Sequence, residues 1–169
     1  MEDKQTDIVP PVIRSAGKDD LPALIGLLKT LFAIEEDFVA DEAKQRRGLF
    51  LMINGCGKHR QVLVAEAGGE VIGMCSAQIL ISTAEGREAA LVEDMVVRAD
   101  FRGRGVGTLL LDAIGRWAEK RGICRLQLLA DRNNTPAIDF YRKQGWRPTQ
   151  LICLRKIGEM NPGGGPDEG

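Results

Sequence analysis

The stretch at residues 91–108, LVEDMVVRADFRGRGVGT, constrains the fold of this chain more than any other. Its first half carries the apolar, β-branched side chains typical of a buried strand that ends near Val97. Three closely spaced glycines follow, at positions 103, 105 and 107, and after them apolar residues recur at the spacing of an amphipathic helix. The stretch therefore predicts a strand, a glycine-rich loop and a helix in direct succession.

The glycine-rich loop has the composition of an anion-binding site. Glycine lets backbone N–H groups approach a ligand closely, and the start of the helix adds the positive end of its dipole. Arg102 and Arg104 add full charges. The loop is not a Walker loop, because no Gly-Lys-Ser/Thr ends it, and it is not the dinucleotide fingerprint, because Gly107 comes one residue too early and Thr108 stands in place of the last glycine. We expect it to hold a phosphorylated group.

Periodicity and turn signals predict the elements on both sides of this unit. They are a strand at 12–14, a helix opening at 17–20, a helix at 41–54, strands at 61–67, 70–82 and 91–97, a helix ending at 122, a strand at 123–130, a short helix from Asn134 to Gly145 and a strand at 151–154. The order β-α-α-β-β-β-α-β-α-β predicts an α/β domain with a mixed, mostly antiparallel sheet. The β-α-β unit around the glycine loop makes its two strands a parallel pair.

Length and composition fit one globular domain, which we expect at residues 12–157 between flexible segments at 1–11 and 158–169. A net charge of −1 favours neither nucleic acid nor an anionic membrane as partner. No apolar run approaches the roughly 20 residues of a membrane helix, and the polar, acidic start predicts no secretory signal. Four separated cysteines are expected to be reduced thiols of a cytoplasmic protein, with no metal site.

Three separated motifs resemble the GNAT superfamily of acyl-CoA-dependent N-acyltransferases. The spacing Arg102-x-x-Gly105-x-Gly107 is similar to that family's pyrophosphate loop, and IRSAGKDDLPAL is similar to its first strand and helix. The segment NTPAIDFYRKQGW at 134–146 is similar to its Asn-x-x-Ala…Tyr…Gly-aromatic segment. The resemblance implies a GNAT-like fold whose parallel strands splay apart to hold acetyl-CoA as co-substrate, without a metal.

The resemblance also implies where acetyl-CoA binds. Its pantetheine arm would pair with the free strand edge at 95–97, where a bulge would leave the Val96 N–H group to polarise the thioester carbonyl and stabilise the oxyanion. Backbone N–H groups of the loop, more than the arginine side chains, would hold the pyrophosphate. Asn134 would cap its helix and could contact the cofactor. The implied cofactor-binding residues are Met95, Val96, Val97, Arg102, Gly103, Arg104, Gly105, Val106, Gly107, Thr108, Asn134 and Tyr141.

Catalysis on an amine requires a base, because a free alkylamine is protonated at neutral pH. Glu93 and Asp94 are the candidates, and strand alternation predicts that they lie on opposite faces. The pair resembles the diamine (polyamine) acetyltransferase branch, and this resemblance favours Glu93 as base and leaves Asp94 to bind substrate; solvated or ion-paired carboxylates are the alternative. Tyr141 is the candidate acid that protonates the leaving thiolate, unless it is only a core residue.

The sequence constrains the acceptor and the partners less than it constrains the cofactor site. Acidic residues between the first two helices, Glu35 and Glu36 among them, would attract a cationic amine, or they are simply a solvated helix start. We expect acetyl transfer to a small cationic primary amine by direct attack in a ternary complex. A protein or peptide N-acetyltransferase and a non-catalytic acyl-CoA-binding regulatory module are the alternatives. The apolar last strand makes a homodimer possible.

Overall fold

The computed structural model describes residues 10–34 and 39–158, which form one five-stranded sheet with helices on both faces. The strands are β1 (Val12–Ser15), β2 (Arg60–Ala67), β3 (Glu70–Ser82), β4 (Arg87–Val97) and β5 (Leu126–Leu128). The helices are α1 (Leu21–Phe32), α2 (Glu42–Asn54), α3 (Val106–Glu119) and α4 (Thr135–Lys143). No helix in this described part of the chain has both the length and the apolar character needed to cross a bilayer.

The sheet has the strand order β1-β2-β3-β4-β5, and the predicted mixed α/β architecture is confirmed. The first three pairings are antiparallel, and β4 and β5 are parallel. The parallel register runs only from Ala90 opposite Leu126 to Val92 opposite Leu128. Strand β4 continues to Val97 without β5 beside it, so the two parallel strands separate beyond Val92. The separation leaves an open edge on β4.

Two apolar layers cover the sheet. One packs α1 and α2 against β2, β3 and β4 through Leu24, Leu28, Leu49, Val62, Val64, Met74 and Val96. The other packs α3 against the opposite face through Leu63, Ala65, Cys75, Val92, Leu110 and Ile114. Successive strand residues alternate between the two layers, so both faces of the sheet are buried. The layer in which a side chain of β3 or β4 packs therefore shows to which face of the sheet that side chain points.

Local capping and turn residues define several of the predicted element ends. Asp41 caps α2 by accepting a hydrogen bond from the Lys44 N–H group at 3.0 Å. Asn134 caps α4 in the same way, accepting from Ala137 at 3.2 Å. Gly68 and the residue after it have φ values of 59° and 80°, as a tight hairpin turn between β2 and β3 requires.

Two strand predictions are wrong in extent. Strand β5 is confined to three residues instead of the predicted 123–130, and residues 151–158 form no regular secondary structure. The large apolar side chains of this segment are 69–87% exposed, namely Leu151, Ile152, Leu154 and Ile157. An apolar sequence favours a strand, but a strand also needs a neighbouring edge for its hydrogen bonds, and 151–158 pairs with no strand among the described residues. Of the expected flexible segments at 1–11 and 158–169, residues 1–9 and 159–169 lie outside the described residues.

Candidate active site

A β-bulge interrupts the pairing of β3 with β4 at the point where β4 leaves β5. Ser76 lies opposite Glu93 and Met74 lies opposite Val96, so one residue of β3, Cys75, stands opposite two residues of β4. The first of these two, Asp94, has φ of 49°, a left-handed conformation uncommon for a residue other than glycine. This is the conformation of the first residue in a G1-type bulge.

The bulge puts both candidate carboxylates on one face of the sheet. Gln78 Nε2 donates to Glu93 Oε2 at 2.8 Å, and Ser76 Oγ donates to Asp94 Oδ2 at 3.0 Å. Ser76 and Gln78 are two residues apart on β3 and share a face, the one that Met74 also uses to pack against α1 and α2. The prediction of opposite faces is therefore wrong, because the extra residue of the bulge shifts the alternation by one position.

The two carboxyl groups differ in their electrostatic surroundings. Burial, with a smaller contribution from the negative charge of Glu93, raises the pKa of Asp94 to about 6, while the hydrogen bond from Ser76 acts in the opposite direction. A carboxyl group with this pKa gains and loses its proton close to neutral pH. That property suits a group that accepts a proton during a reaction.

The open edge of β4 presents the N–H groups of Met95 and Val97. Arg98 donates its N–H group to the carbonyl oxygen of Ile72 on β3 at 2.8 Å. Val96, two residues earlier in the same antiparallel ladder, has the same orientation, so its N–H group also points toward β3. The N–H groups of Met95 and Val97 point the other way, toward the edge of β4 that has no β5 residue beside it. The free N–H group assigned to Val96 is thus corrected to Met95 and Val97.

The glycine loop leads into α3 with three N–H groups that lack a partner in the helix. Gly105 is the N-cap residue, with φ of 78°, and it has no side chain that could cap the helix. The first N–H group that donates to the Gly105 carbonyl oxygen belongs to Leu109, at 3.1 Å. The N–H groups of Val106, Gly107 and Thr108 therefore stand free at the positive end of a helix of 14 residues. This is the arrangement that binds phosphate groups in proteins.

The two arginines of the loop behave differently. Arg102 donates from Nε to the carbonyl oxygen of Val97 at 2.9 Å, so its side chain ties the loop to the end of β4. The guanidinium group of Arg104 lies 5.2 Å from the ring centroid of Phe101 and is exposed. Of the two, Arg104 has its charge available to a ligand above the loop.

Helix α4 packs against the start of α3 and brings Tyr141 to the same layer as Met95. A Cβ atom on Gly107 would meet Met95 Cε and Phe140 Cζ, each at 3.1 Å. Gln144 Nε2 donates to Thr108 Oγ1 at 3.1 Å. The tyrosine ring contacts Phe140, with ring centroids 5.3 Å apart. The tyrosine and the two carboxylates therefore lie on opposite faces of the sheet, on either side of the open edge.

The two residues named for the predicted acidic acceptor region, Glu35 and Glu36, lie outside the described residues. Asp41 caps α2 and lies 3.5 Å from Lys44. Glu42 pairs with Arg46 at 3.2 Å. These contacts match the alternative interpretation, an ordinary helix start.

Two residues of the site were not predicted from the sequence, namely Ser76 and Gln78, the β3 residues that hold the two carboxylates. Both are polar residues inside the otherwise apolar run GMCSAQIL of a central strand. Polar groups in such a strand need hydrogen-bond partners within the protein. This signal could have paired β3 with the acidic residues of β4 before the structure was known.

Comparison with known proteins gives consistent matches over most of the chain. The family model described as "Acetyltransferase (GNAT) family" matches residues 27–146. An uncharacterised N-acetyltransferase of Methanocaldococcus jannaschii is 29% identical over 141 residues, covering 83% of this chain and 62% of the relative, less than two thirds of its length. The thialysine N-epsilon-acetyltransferase of Sus scrofa is 28% identical over 146 residues, covering 80% of this chain and 84% of the relative.

Two solved structures have the same fold. A transcriptional regulator from Bacillus halodurans superposes with a TM-score of 0.76 at 22% identity, covering 87% of this chain and 99% of the other. The aminoglycoside N-acetyltransferase AAC(6')-Iy, solved with the bisubstrate analogue CoA-S-monomethyl-acetylneamine, superposes with a TM-score of 0.74 at 22% identity, covering 88% and 98%.

Proposed function

Since the chain belongs to the acetyltransferase (GNAT) family and is an acetyl-CoA-dependent N-acetyltransferase by that membership, we propose that its acceptor is a small cationic primary amine. The amine attacks acetyl-CoA directly while both are bound. One observation carries the proposal: two carboxylates lie on the same face of β4, beside the open edge that begins where the parallel strands separate.

The cofactor site follows from the free N–H groups. The diphosphate of acetyl-CoA would lie on the N–H groups of 106–108, with Arg104 above the loop, and the pantetheine arm would add to the open edge of β4 as a further strand. The Met95 N–H group would donate a hydrogen bond to the thioester oxygen and stabilise it as negative charge develops. Asn134 supports this region by capping α4.

The chemistry divides between the two faces of the sheet. Asp94 takes a proton from the ammonium group, directly or through a water molecule, so that the freed amine nitrogen can bond to the thioester carbon. The tetrahedral intermediate loses its second nitrogen proton to solvent as the carbon–sulfur bond breaks, and Tyr141 supplies a proton to the departing thiolate and regains one from solvent. The products are the N-acetylated amine and CoA. Glu93, which the resemblance favours as base, is in this assignment a second carboxylate that lies beside the amine.

The charge of the site supports a cationic acceptor. No ion pair between described residues involves Glu93 or Asp94. Two carboxylates without a cationic side chain beside them attract a cation from solution. The pig relative is named for the ε-amine of thialysine, and the solved aminoglycoside acetyltransferase carries an acetylneamine analogue, so amine acceptors of this class occur among similar proteins.

Turnover across an amine library tests the proposed acceptor. Acetyl-CoA is mixed with diamines, polyamines, lysine analogues, aminoglycosides, neutral amines, amino acids and short peptides, and thiol release is recorded. We expect the highest kcat/KM for acceptors that carry a second positive charge. A preference for neutral or acidic amines would contradict the proposal. A preference for peptides would favour a protein-modifying enzyme, and binding of acetyl-CoA without thiol release for any amine would favour a regulatory module.

Substitution of Tyr141 by phenylalanine is expected to lower kcat by roughly 10- to 100-fold, because the ring stays in place while the proton donor is lost. The KM for acetyl-CoA is expected to stay within about threefold of the wild-type value, since the free N–H groups of α3 are unaffected. Steady-state kinetics with both substrates saturating measures the change. Full turnover by Tyr141→Phe would limit this tyrosine to a packing role.

We further propose that two copies of the chain pair through residues 151–154. These four residues, LICL, are all apolar, as is typical of a strand buried on both sides, yet the three large aliphatic side chains among them are 69–87% exposed in the single chain. The outer edge of β5 has no strand beside it among the described residues. We expect a dimer by light scattering and a monomer when Ile152 and Leu154 are both changed to aspartate. A wild-type monomer at about 100 µM, well above the Kd of a stable dimer, would contradict this proposal.

We place the enzyme in the cytoplasm, without a nucleic-acid or membrane partner. The four cysteines are unpaired, which fits a reducing compartment. The near-neutral net charge gives no general attraction to polyanions. Fractionation of cells with an antibody to the chain tests the location.

A further inference from the structure

We propose that Ser76 is a positioning residue for proton transfer, whose hydroxyl group holds the Asp94 carboxyl group in place in both of its protonation states. The proposal rests on the proposed function, which makes Asp94 the base. It adds a residue of β3 that contacts neither substrate.

The geometry gives the Ser76 hydroxyl two alternative acceptors. Its Oγ atom lies 3.0 Å from Asp94 Oδ2 and 3.1 Å from the backbone carbonyl oxygen of Glu93. A hydroxyl group has one proton to donate, and a charged carboxylate is the stronger acceptor. When Asp94 is ionised, Ser76 therefore donates to the carboxylate.

Protonation of Asp94 reverses this hydrogen bond without moving the heavy atoms. The protonated carboxyl group can donate to Ser76 Oγ, whose own proton then turns to the carbonyl oxygen of Glu93. No polar atom of the serine is left without a partner in either state. Because Ser76 is only 1% exposed, its hydroxyl group makes these hydrogen bonds without competition from bulk water.

Among the groups around Asp94, Ser76 is the one whose hydrogen bond favours the ionised carboxylate. The titratable groups next to Asp94 are Glu93, beside it on β4, whose charge raises the pKa of Asp94, and the buried thiol of Cys75 on β3, whose own pKa is raised by burial and by Asp94. The helices over this face contribute apolar side chains, Leu24, Leu28 and Leu49 among them. Burial and the charge of Glu93 raise the pKa of Asp94, and the hydrogen bond from Ser76 lowers it. Loss of the hydroxyl group must therefore raise that pKa further.

The pH dependence of turnover tests the proposal. Ser76→Ala is expected to move the acidic limb of the kcat/KM profile upward by roughly one pH unit, while activity on the alkaline side and the KM for acetyl-CoA stay close to wild type. Ser76→Cys, nearly equal in size and with a weak S–H donor, is expected to shift the limb in the same direction by less. It keeps the test available if the alanine variant does not fold. An unmoved limb in a folded variant would overturn the proposal.

Ser82→Ala is the matched control. Ser82 is another buried serine of β3, but its hydroxyl group accepts from the Glu85 N–H group at 3.2 Å and from Arg125 at 2.8 Å, away from the bulge. Removing it is expected to leave the acidic limb unmoved. An equal shift in this control would mean that the limb responds to any lost serine in the strand, which would contradict a specific role for Ser76.

Carboxyl-carbon NMR of the free protein separates this proposal from the proposed function. The Asp94 titration midpoint is expected to rise from wild type to Ser76→Ala, and the measurement needs no substrate. If no amine is acetylated but the midpoint rises, the acceptor assignment fails and the contact with Ser76 stands. If amines are acetylated and the midpoint does not move, the role of Ser76 fails and the function stands.

Discussion

Replacement of Thr108 by aspartate is expected to weaken the binding of CoA by roughly 10- to 100-fold, the range expected for a carboxylate placed about 5 Å from a diphosphate at the protein surface. Thr108 lies in the first turn of α3, where one of the three free N–H groups is its own. The same negative charge at a helix start stabilises the helix through the dipole. Binding and stability are therefore expected to change in opposite directions, which a general folding defect cannot produce.

Calorimetric titration with CoA and a thermal unfolding curve measure the two effects. Thr108→Asn is the control, because asparagine has nearly the size of aspartate without its charge and can still accept the hydrogen bond from Gln144. Its Kd for CoA is expected to stay within about threefold of wild type. Equal binding by the aspartate variant and the asparagine variant would remove the diphosphate from the start of α3.

Replacement of Asp94 by asparagine is expected to lower kcat/KM by roughly 100- to 1,000-fold, the contribution typical of a general base. The wild-type profile should fall as the pH drops below about 6, because protonation of Asp94 removes the form that accepts the amine proton. The asparagine variant should lose this acidic limb together with the rate. Glu93→Gln should retain the limb and act mainly by raising the KM for a cationic amine.

Profiles of kcat/KM against pH for the two variants decide which carboxylate is the base. Both side chains accept hydrogen bonds from β3, so each substitution keeps the size of a side chain that is held in a similar way. If Glu93→Gln loses the acidic limb and Asp94→Asn keeps it, the base is Glu93, as the resemblance to the diamine branch favours.

The helices and most strands were predictable because they depend on local chemistry. Apolar residues at helical spacing predicted α3, and the capping residues Asp41 and Asn134 marked two helix starts. The glycine pattern at 103–107 predicted a loop for the same reason, and Gly103 and Gly105 have the left-handed φ values that favour glycine. In these places the sequence within a few residues determines the structure.

The predictions that failed depended on partners distant in the sequence. Alternation placed Glu93 and Asp94 on opposite faces, but the left-handed φ of Asp94 exists only because β3 offers one residue opposite two. The N–H groups that point to the open edge likewise belong to Met95 and Val97, and not to Val96 as predicted. The apolar segment at 151–154 predicted a strand, although it pairs with no strand edge in the described part of the chain. Bulges and edge pairing are properties of the assembled sheet, and a single sequence does not display them.

Amide chemical shifts during a titration with CoA test most directly whether the start of α3 and the open edge of β4 form the cofactor site. The expected result is a saturable shift of the amide signals of Val106, Gly107 and Thr108, accompanied by Met95 and Val97, while the Val96 amide, which points toward β3, shifts less. Saturable shifts confined to other parts of the chain, with these five amides unmoved, would contradict the assignment.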